Sequence, residues 1–399
     1  MTIGLIKERK DPPDKRVAMT PIQCRKAMKE FPGLKIIVEN SNIRAFSDEE
    51  YRTEGIAVQD DVSGAEVLIG VKEVPKEALI PNKTYLFFSH TIKAQPYNRA
   101  LLLSIMKKNI RLIDHEALTF ENGSRVLGFG RYAGIVGAFN AFRTWGIKSK
   151  TFELKPAYQC HDKQEMVAEL KKAVLPEDLN ILLTGSGRVA GGVLEILELA
   201  GIQKVSSKDY VDSSINGRIY TQLDVEDYNI PPVGVTWNKT AFYNDPSEYS
   251  PGLSPYLKNT HIYISGHFWD PRAPKLIEKT DLEDPDLQLK VVADISCDID
   301  DPIACTIRPS TIENPIYGYH RFEHKECDLM DPKAIAVMAV DNLPCELPRD
   351  ASEGFGATLL EKVIPEFTKD SSAMIDRGTI TMNGNLTTHF EYLQDYVDG

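Results

Sequence analysis

Short apolar blocks, each closed by polar residues, recur along the first third of this chain: Thr2 to Ile6, Lys35 to Val38, Val67 to Val71, Tyr85 to Phe88 and Arg111 to Ile113. Their β-branched and aromatic content reads as buried strand, and the helical or loop segments between them give a βαβ rhythm that predicts a parallel sheet. Thr20 followed by Pro21 predicts a helix start, an N-cap with proline at the first helical position. Arg131 to Lys148 is small or apolar on nearly every face, which predicts a helix buried on most sides and places the crossing to a second domain there. A helical segment from Lys163 to Val174 follows. The second domain opens at Asn180 to Thr184, an apolar strand that runs into Gly185-Ser186-Gly187-Arg188-Val189-Ala190 and then a helix through Ala200. Later strands are expected at His261 to Gly266, Lys290 to Ile295 and Val337 to Val340. Apolar residues at helical spacing from Arg349 to Phe367 predict the helix that returns the chain to the first domain.

Composition narrows the function more than the fold. A chain of 399 residues with 42% hydrophobic content can bury two cores, and the net charge of -12, from 46 basic and 58 acidic residues, leaves no electrostatic footprint for nucleic acid or an anionic membrane. A small-molecule substrate is the expectation. No apolar run approaches the ~20 residues that span a bilayer, and the opening Met-Thr-Ile-Gly-Leu-Ile-Lys-Glu-Arg-Lys lacks the apolar core of a signal peptide, so a cytoplasmic protein is expected. The six cysteines, at 24, 160, 297, 305, 327 and 345, show no CxxC spacing, which argues for free thiols and against a metal site.

Candidate chemistry lies where strands end, because ligands of open α/β sheets sit beyond the carboxyl ends of strands. His90, Lys93 and Gln95 follow Tyr85 to Phe88, and Lys72 follows Val67 to Val71, so Lys72 and His90 leave one sheet edge if those strands are parallel. A lone histidine there more often ties down a loop. A partly desolvated lysine beside it, usable as a base near neutral pH, gives the histidine a chemical partner. Asp114-His115-Glu116 and the segment from Arg125 to Gly130 supply two further polar ends. Arg16 lies in a strand-to-helix loop suited to gripping a carboxylate bidentately, although an isolated arginine is more often a solvated charge.

In the second domain the glycine at 185 allows a tight turn, that at 187 lets backbone approach a pyrophosphate, and Ala190 lets helix pack on strand. Gly185, Ser186, Gly187, Arg188 and Val189 are the expected dinucleotide-binding turn. The next strand, Gln203 to Val205, ends in Ser206, Ser207 and Lys208 where an acid for the ribose 2′-hydroxyl is usual. Those groups suit a 2′-phosphate, and a register change would bring Asp209 or Asp212 to the ribose instead. Phe268, Asp294 and Asp298, at later strand ends, are counted with the cofactor contacts.

Phe87-Phe88-Ser89-His90-Thr91-Ile92-Lys93-Ala94-Gln95, the Thr184-Gly185-Ser186-Gly187 turn and Asp341-Asn342-Leu343-Pro344-Cys345-Glu346-Leu347-Pro348-Arg349 resemble the lysine-ketoglutarate reductase half of the bifunctional aminoadipic semialdehyde synthases. The chain is more loosely similar to lysine-forming saccharopine dehydrogenase, and its first 21 residues resemble alanine dehydrogenase and the transhydrogenase α subunit. The resemblance covers essentially the whole chain and, with no additional dehydrogenase half, implies a free-standing enzyme. It implies two Rossmann-like doubly wound α/β domains with the active site in a cleft between them: 1–135 with 350–399 for substrate, and 136–349 for the dinucleotide. It implies Lys72 and His90 as the acid/base pair, Arg16, Gln95, Arg125 and Phe129 in the substrate pocket, and Lys93 and Glu116 as charged neighbours. Gly187, Arg188, Val340, Asp341, Asn342 and Leu343 match dinucleotide contacts. Two departures stand out: Asp14 replaces a longer acid, and Ser206 replaces the ribose-binding aspartate of saccharopine dehydrogenase.

The implied reaction interconverts saccharopine with lysine and 2-oxoglutarate using NAD(P)(H). NADP is expected over NAD, since Ser206 to Lys208 and the likeness to the reductase both point there, while the likeness to the dehydrogenase points to NAD. The rivals are a smaller amino-acid dehydrogenase of the alanine dehydrogenase type and a dinucleotide-binding regulatory protein without turnover. Direction of flux and oligomeric state stay open.

Overall fold

The structure, a computed structural model, describes residues 1–212, 215–299 and 301–399. It falls into two units, Met1–Phe129 with Pro348–Gly399, and Gly130–Leu347. The sequence places these breaks at 135 and 349. The first division instead falls at the start of a long helix, which belongs whole to unit 2.

Unit 1 begins with six parallel strands: β1 (Thr2–Leu5), β2 (Lys35–Glu39), β3 (Ala57–Gln59), β4 (Val67–Ile69), β5 (Thr84–Phe87) and β6 (Arg111–Asp114). Their spatial order, β3-β2-β1-β4-β5-β6, reverses direction between β1 and β4, the switch point of a doubly wound sheet. Alternate residues serve opposite faces. Ile3, Ile36, Ile69 and Leu86 enter one buried cluster, while Leu68, Tyr85, Phe87 and Leu112 enter another across the sheet. Helix α1 (Pro21–Glu30) starts at Thr20 with a capping box to Gln23 and proline at its first turn, followed by α2 (Asp48–Thr53) and α3 (Pro96–Lys107).

Unit 2 opens with α4 (Gly130–Ser149), buried along most of its length, and continues through α5 (Lys163–Leu170). Its parallel strands are β7 (Asn180–Thr184), β8 (Gln203–Lys204), β9 (Ile219–Leu223), β12 (Ile262–Ser265), β13 (Val291–Asp294) and β16 (Ala334–Met338). A small ribbon, β10 (Asn229–Ile230) with β11 (Ser250–Pro251), lies outside the sheet, and β14 (Ile316–His320) and β15 (Lys325–Cys327) extend the sheet antiparallel beyond β16. The helices are α6 (Arg188–Leu199), α7 (Ser207–Val211), α8 (Lys239–Asn244), α9 (Ser254–Leu257) and α10 (Lys279–Glu283). Packing of α4 on α6 is backbone to backbone: a Cβ on Gly134 would stand 1.9 Å from the Val189 carbonyl oxygen, and one on Gly192 1.9 Å from that of Arg131.

The chain returns to unit 1 as α11 (Pro348–Thr358), then adds β17 (Thr379–Met382) antiparallel to β6 and β18 (Asn385–Leu386) outside it. All six cysteines are free thiols. Among the described residues no helix is long and apolar enough to cross a membrane.

Candidate active site

In unit 1, β4 and β5 pair in parallel, Val67 with Thr84 through Ile69 with Leu86, and the Phe88 N–H donating to the Val71 carbonyl carries the pairing past the strands. Lys72-Glu73 and Ser89-His90 therefore leave the same sheet edge. His90 holds φ +55°, a left-handed conformation uncommon for any residue with a Cβ, and its ring stacks on Phe88. The surroundings impose that backbone. The buried Asp114 carboxylate accepts the Ser89 N–H at 2.9 Å and the Ser89 hydroxyl, and Asn98 Nδ2 donates to the His90 carbonyl at 3.3 Å.

His90 Nδ1 lies 2.5 Å from Glu73 Oε1. Burial by itself would raise the Glu73 carboxyl, but the hydrogen bond and charge of His90, with Lys10 farther out, pull it down to about 2. Glu73 is thus a carboxylate, Nδ1 carries the proton that it accepts, and Nε2 is the nitrogen left to exchange protons with a ligand. Lys72 is held from behind: Glu8, buried in the loop after β1, accepts the Val71 N–H at 2.7 Å and the Lys72 N–H at 2.8 Å across the switch point. Burial, abetted by the charge of Asp14, raises the Glu8 carboxyl to about 7 despite those two donors and Arg16. Glu8 lies in a loop dense in charge and proline, Lys7 to Lys15, where nothing in the sequence marks one acid as buried.

Arg16 is only 2% exposed, so the solvated reading does not apply to it. Its Nε donates to Asp14 Oδ1 at 3.0 Å, its Nη2 to Oδ2 at 2.6 Å, and its guanidinium sits 4.2 Å over the Phe129 ring. Burial disfavours the Asp14 carboxylate, yet the Arg16 charge and hydrogen bonds hold its pKa below the usual range. Phe129 stacks on Phe355 at 4.6 Å, and with Phe88 these rings make an aromatic wall beside the cation. Arg125 is half exposed and donates to Glu116 Oε1 at 2.9 Å. It stands in a loop that meets Thr119 through an isolated bridge, so the fourth polar strand end expected from sequence is a loop. Lys93 sits exposed in the turn Thr91–Lys93, and Gln95 precedes α3 with its carbonyl taking the Tyr396 hydroxyl at 2.5 Å. His115 is buried, donates Nε2–H to the Gly70 carbonyl at 2.9 Å, and is driven by burial to about 4, so it is a neutral strut.

In unit 2 the switch point lies between β7 and β12. Gly185 takes φ +103°, and a Cβ there would meet the Gly266 carbonyl oxygen at 2.5 Å, so this turn requires glycine. At Gly187 no described protein atom lies within 4 Å of a Cβ position, and the residue opens α6 without a side chain. An open backbone approach to a twelve-residue helix N-terminus fits a pyrophosphate. The turn thus has the shape that a dinucleotide needs. The carboxyl ends of β12, β13 and β16 bring Phe268, Asp298 and the 340–343 segment to the same edge. Phe268 is 83% exposed, Asp341 is exposed, and Val340 and Leu343 are buried. Asp294 is fully buried, and its Oδ1 accepts the Ser265 and Ser296 hydroxyls at 2.5 and 2.7 Å, a loop-fastening geometry rather than a surface contact. Among the described residues, Asp294 Oδ2 and His267 Nε2 are buried without a partner.

Ser206, Ser207 and Lys208 are not brought to that turn. Their strand, β8, is the outermost of the sheet, and β9, absent from the sequence reading, lies between it and β7. The Ser206 hydroxyl caps α7, accepting the Asp209 N–H at 3.1 Å. The residue at the end of β9 that sequence reasoning missed is Asp224, whose Oδ1 accepts the Ser186 hydroxyl at 2.9 Å. Its signal was available: Ile219-Tyr220-Thr221-Gln222-Leu223 is strand-like and ends in an acid.

Residues 4–136 match the family described as alanine dehydrogenase/PNT, N-terminal domain. The chain is 30% identical to alpha-aminoadipic semialdehyde synthase, mitochondrial, of Bos taurus over 91% of its own length and 44% of that protein's, so it spans less than half of that relative. It is 26% identical to the saccharopine dehydrogenase [NAD(+), L-lysine-forming] of Neurospora crassa, covering 88% of this chain and 87% of that one. Among solved structures it is similar to an L-alanine dehydrogenase, with a TM-score of 0.68 and 17% identity over 100% of this chain and 99% of the other, a likeness of fold. Over most of its length the chain is thus similar to the aminoadipic semialdehyde synthases and the lysine-forming saccharopine dehydrogenases, and its first third matches the N-terminal domain shared by alanine dehydrogenase and transhydrogenase.

Proposed function

We propose that the chain is an oxidoreductase acting on the CH–NH group of saccharopine, interconverting it with lysine and 2-oxoglutarate by means of NAD or NADP. The carrying observation is the switch-point cluster of unit 1, where His90 fastened to Glu73 and Lys72 fastened through Glu8 come off neighbouring parallel strands. Cleavage of saccharopine takes hydride from the carbon beside its secondary amine, adds water to the resulting imine and breaks the C–N bond of the carbinolamine. Each stage moves a proton at nitrogen or at oxygen, and two titratable groups on one edge, Lys72 and His90 Nε2, can share that work. A nicotinamide dinucleotide would be held by its pyrophosphate at the Gly185 to Val189 turn, with Val340 to Leu343 on the same sheet edge, and would supply the hydride acceptor or donor.

Substrate binding falls to the cations. Saccharopine carries three carboxylates, and Arg16 and Arg125 offer guanidinium forks to two of them, with Lys93, Gln95 and Glu116 addressing the remaining polar groups. Phe129 supplies the apolar wall and keeps Arg16 from tilting away.

Absorbance in the reduced-nicotinamide band tests this reading. Saccharopine with the oxidised cofactor, or lysine with 2-oxoglutarate and the reduced one, is expected to turn over, and alanine is not. Turnover with alanine alone, or cofactor binding with no amino acid turned over, would assign the chain to the smaller dehydrogenases or to a regulatory role.

A further inference from the structure

We propose that Asp224, not the Ser206 to Lys208 loop, receives the adenosine ribose and makes NAD the preferred cofactor of this chain. In the usual doubly wound order 3-2-1-4-5-6, the second strand lies beside the first and ends in the acid that takes the ribose hydroxyls. In unit 2 the strand that follows α6, β8, has moved to the sheet edge, and the next one, β9, has taken its place beside β7, with Asn180 paired to Ile219 and Thr184 to Leu223. The role that sequence order gives to Ser206 passes, by spatial order, to the residue after Leu223.

Register agrees. Strand β8 pairs only Gln203 with Ile219 and Lys204 with Tyr220, so it stops short of the level at which β7 and β9 end together. Its end lies two strand spacings, about 10 Å, from β7. Asp224, in contrast, touches the glycine turn itself. Its Oδ1 accepts the hydroxyl of Ser186 at 2.9 Å and the Val225 N–H at 2.8 Å, and Gln222 one turn of pleat earlier donates to the Gly185 carbonyl at 3.0 Å. Carboxylate and turn are one hydrogen-bonded unit.

The charges around Asp224 decide between the two cofactors. Asp227 accepts the Asp224 N–H at 2.7 Å, Glu226 lies between them in sequence and is exposed, and Lys239 at the start of α8 stands 3.3 Å from Asp224 Oδ2. A 2′-phosphate brings a charge of about −1.5 to −2 and would meet three carboxylates, with the Lys239 ammonium engaged by Asp224 and the Lys204 ammonium held on Gln222 Oε1 at 3.1 Å. A free 2′-hydroxyl meets an ionised acceptor, the stronger kind of hydrogen bond.

This inference rests on the dinucleotide reading above, and one titration separates the two. With the full chain, isothermal titration is expected to give NAD+ binding roughly ten- to hundredfold tighter than NADP+, the value of a hydrogen bond to a charged acceptor. Asp224→Ser should weaken NAD+ about tenfold while leaving NADP+ equal or tighter. Asp224→Asn, which keeps an acceptor for Ser186, should close the gap mainly by improving NADP+, and Lys208→Glu should leave the ratio where it was. A wild-type preference for NADP+, equal loss of both cofactors in both Asp224 variants, or a ratio that swings in Lys208→Glu overturns the inference alone. Binding of neither cofactor to the wild type overturns the dinucleotide reading together with it.

Discussion

His90 Nδ1 meets Glu73 Oε1 at 2.5 Å, and the histidine that makes this contact does so from a left-handed backbone. The two facts belong together, since a conformation costing of order 1 kcal/mol or more persists only where the surroundings over-determine it. Glu73 fixes the tautomer, the Asp114 and Asn98 hydrogen bonds fix the loop, and Nε2 is left aimed by both.

Glu73→Gln removes the charge that holds the His90 proton on Nδ1. Turnover is expected to fall ten- to hundredfold, the worth of one hydrogen bond to a charged group, with the Michaelis constants nearly unchanged. The sign of the pH effect on folding is also fixed. Glu73 titrates near 4.5 when unfolded and at about 2 when folded, so its stabilisation is complete above 4.5 and disappears as pH falls through about 2. Denaturant titrations of wild type and Glu73→Gln should differ at neutral pH and converge near pH 2. A gap of constant size down to that pH would count against the pairing.

Lys72→Met and His90→Gln are each expected to lower turnover by roughly a hundredfold or more, the usual contribution of a positioned acid or base. The wild-type pH–rate profile should lose a different limb in each variant. Near-native rates with an unchanged profile in both would reject the assignment.

Arg16→Lys and Arg125→Lys keep the charge and lose the fork, so the Michaelis constants for saccharopine and 2-oxoglutarate should rise markedly. The two should part in stability. Arg16 is buried against Asp14 and Phe129, and its replacement should lower the melting temperature, whereas the half-exposed Arg125 should leave it unmoved. Unaltered Michaelis constants in both would remove them from the substrate site.

Glu8 carries the opposite pH sign from Glu73. Its carboxyl is raised from 4.5 to about 7, so between those values the folded protein binds the extra proton and stability declines as pH rises. Glu8→Gln, which cannot ionise, should flatten that decline between pH 4.5 and 7. A slope identical to the wild type would show that Glu8 is ionised throughout.

Gly134→Ala would drive a methyl into the Val189 carbonyl, a backbone atom that cannot swing aside. A loss of about 3 kcal/mol is expected by chemical denaturation, the upper end of overpacking costs. Dinucleotide affinity should fall as well, because Val189 belongs to the turn that opens α6. A stable variant with native affinity would mean that α4 and α6 can separate at no cost.

What the sequence disclosed was whatever is written in consecutive residues. Thr20 with Pro21 announced α1, Gly185-Ser186-Gly187 announced the turn before α6, and the small, apolar faces of Arg131 to Lys148 announced a buried helix. The parallel ends that bring Lys72 beside His90 followed from βαβ rhythm alone. What stayed hidden depends on pairing across the chain. No local pattern says that β9 displaces β8 from the side of β7, so a reading in chain order stops at Ser206 to Lys208, one strand farther from the glycine turn than Asp224. Nor does a charge-dense loop reveal that Glu8 turns inward across a switch point while Lys7 and Lys10 stay exposed. Arg125, expected at a polar strand end, stands instead in a loop whose Val126 and Leu127 are buried.

The late arrival of β17 has a consequence for synthesis. In the finished protein β6 is an interior strand, paired with β5 on one side and β17 on the other. On the ribosome, β6 is complete long before Thr379 exists, and all of unit 2 is made in between. At ~5–20 residues per second, this interval lasts on the order of ten seconds or more, during which the nascent sheet presents an open, apolar edge of the kind that recruits other chains. Chains halted before Thr379 should therefore be sticky rather than merely inactive, and unit 2, contiguous in sequence, is the part able to finish folding while unit 1 waits.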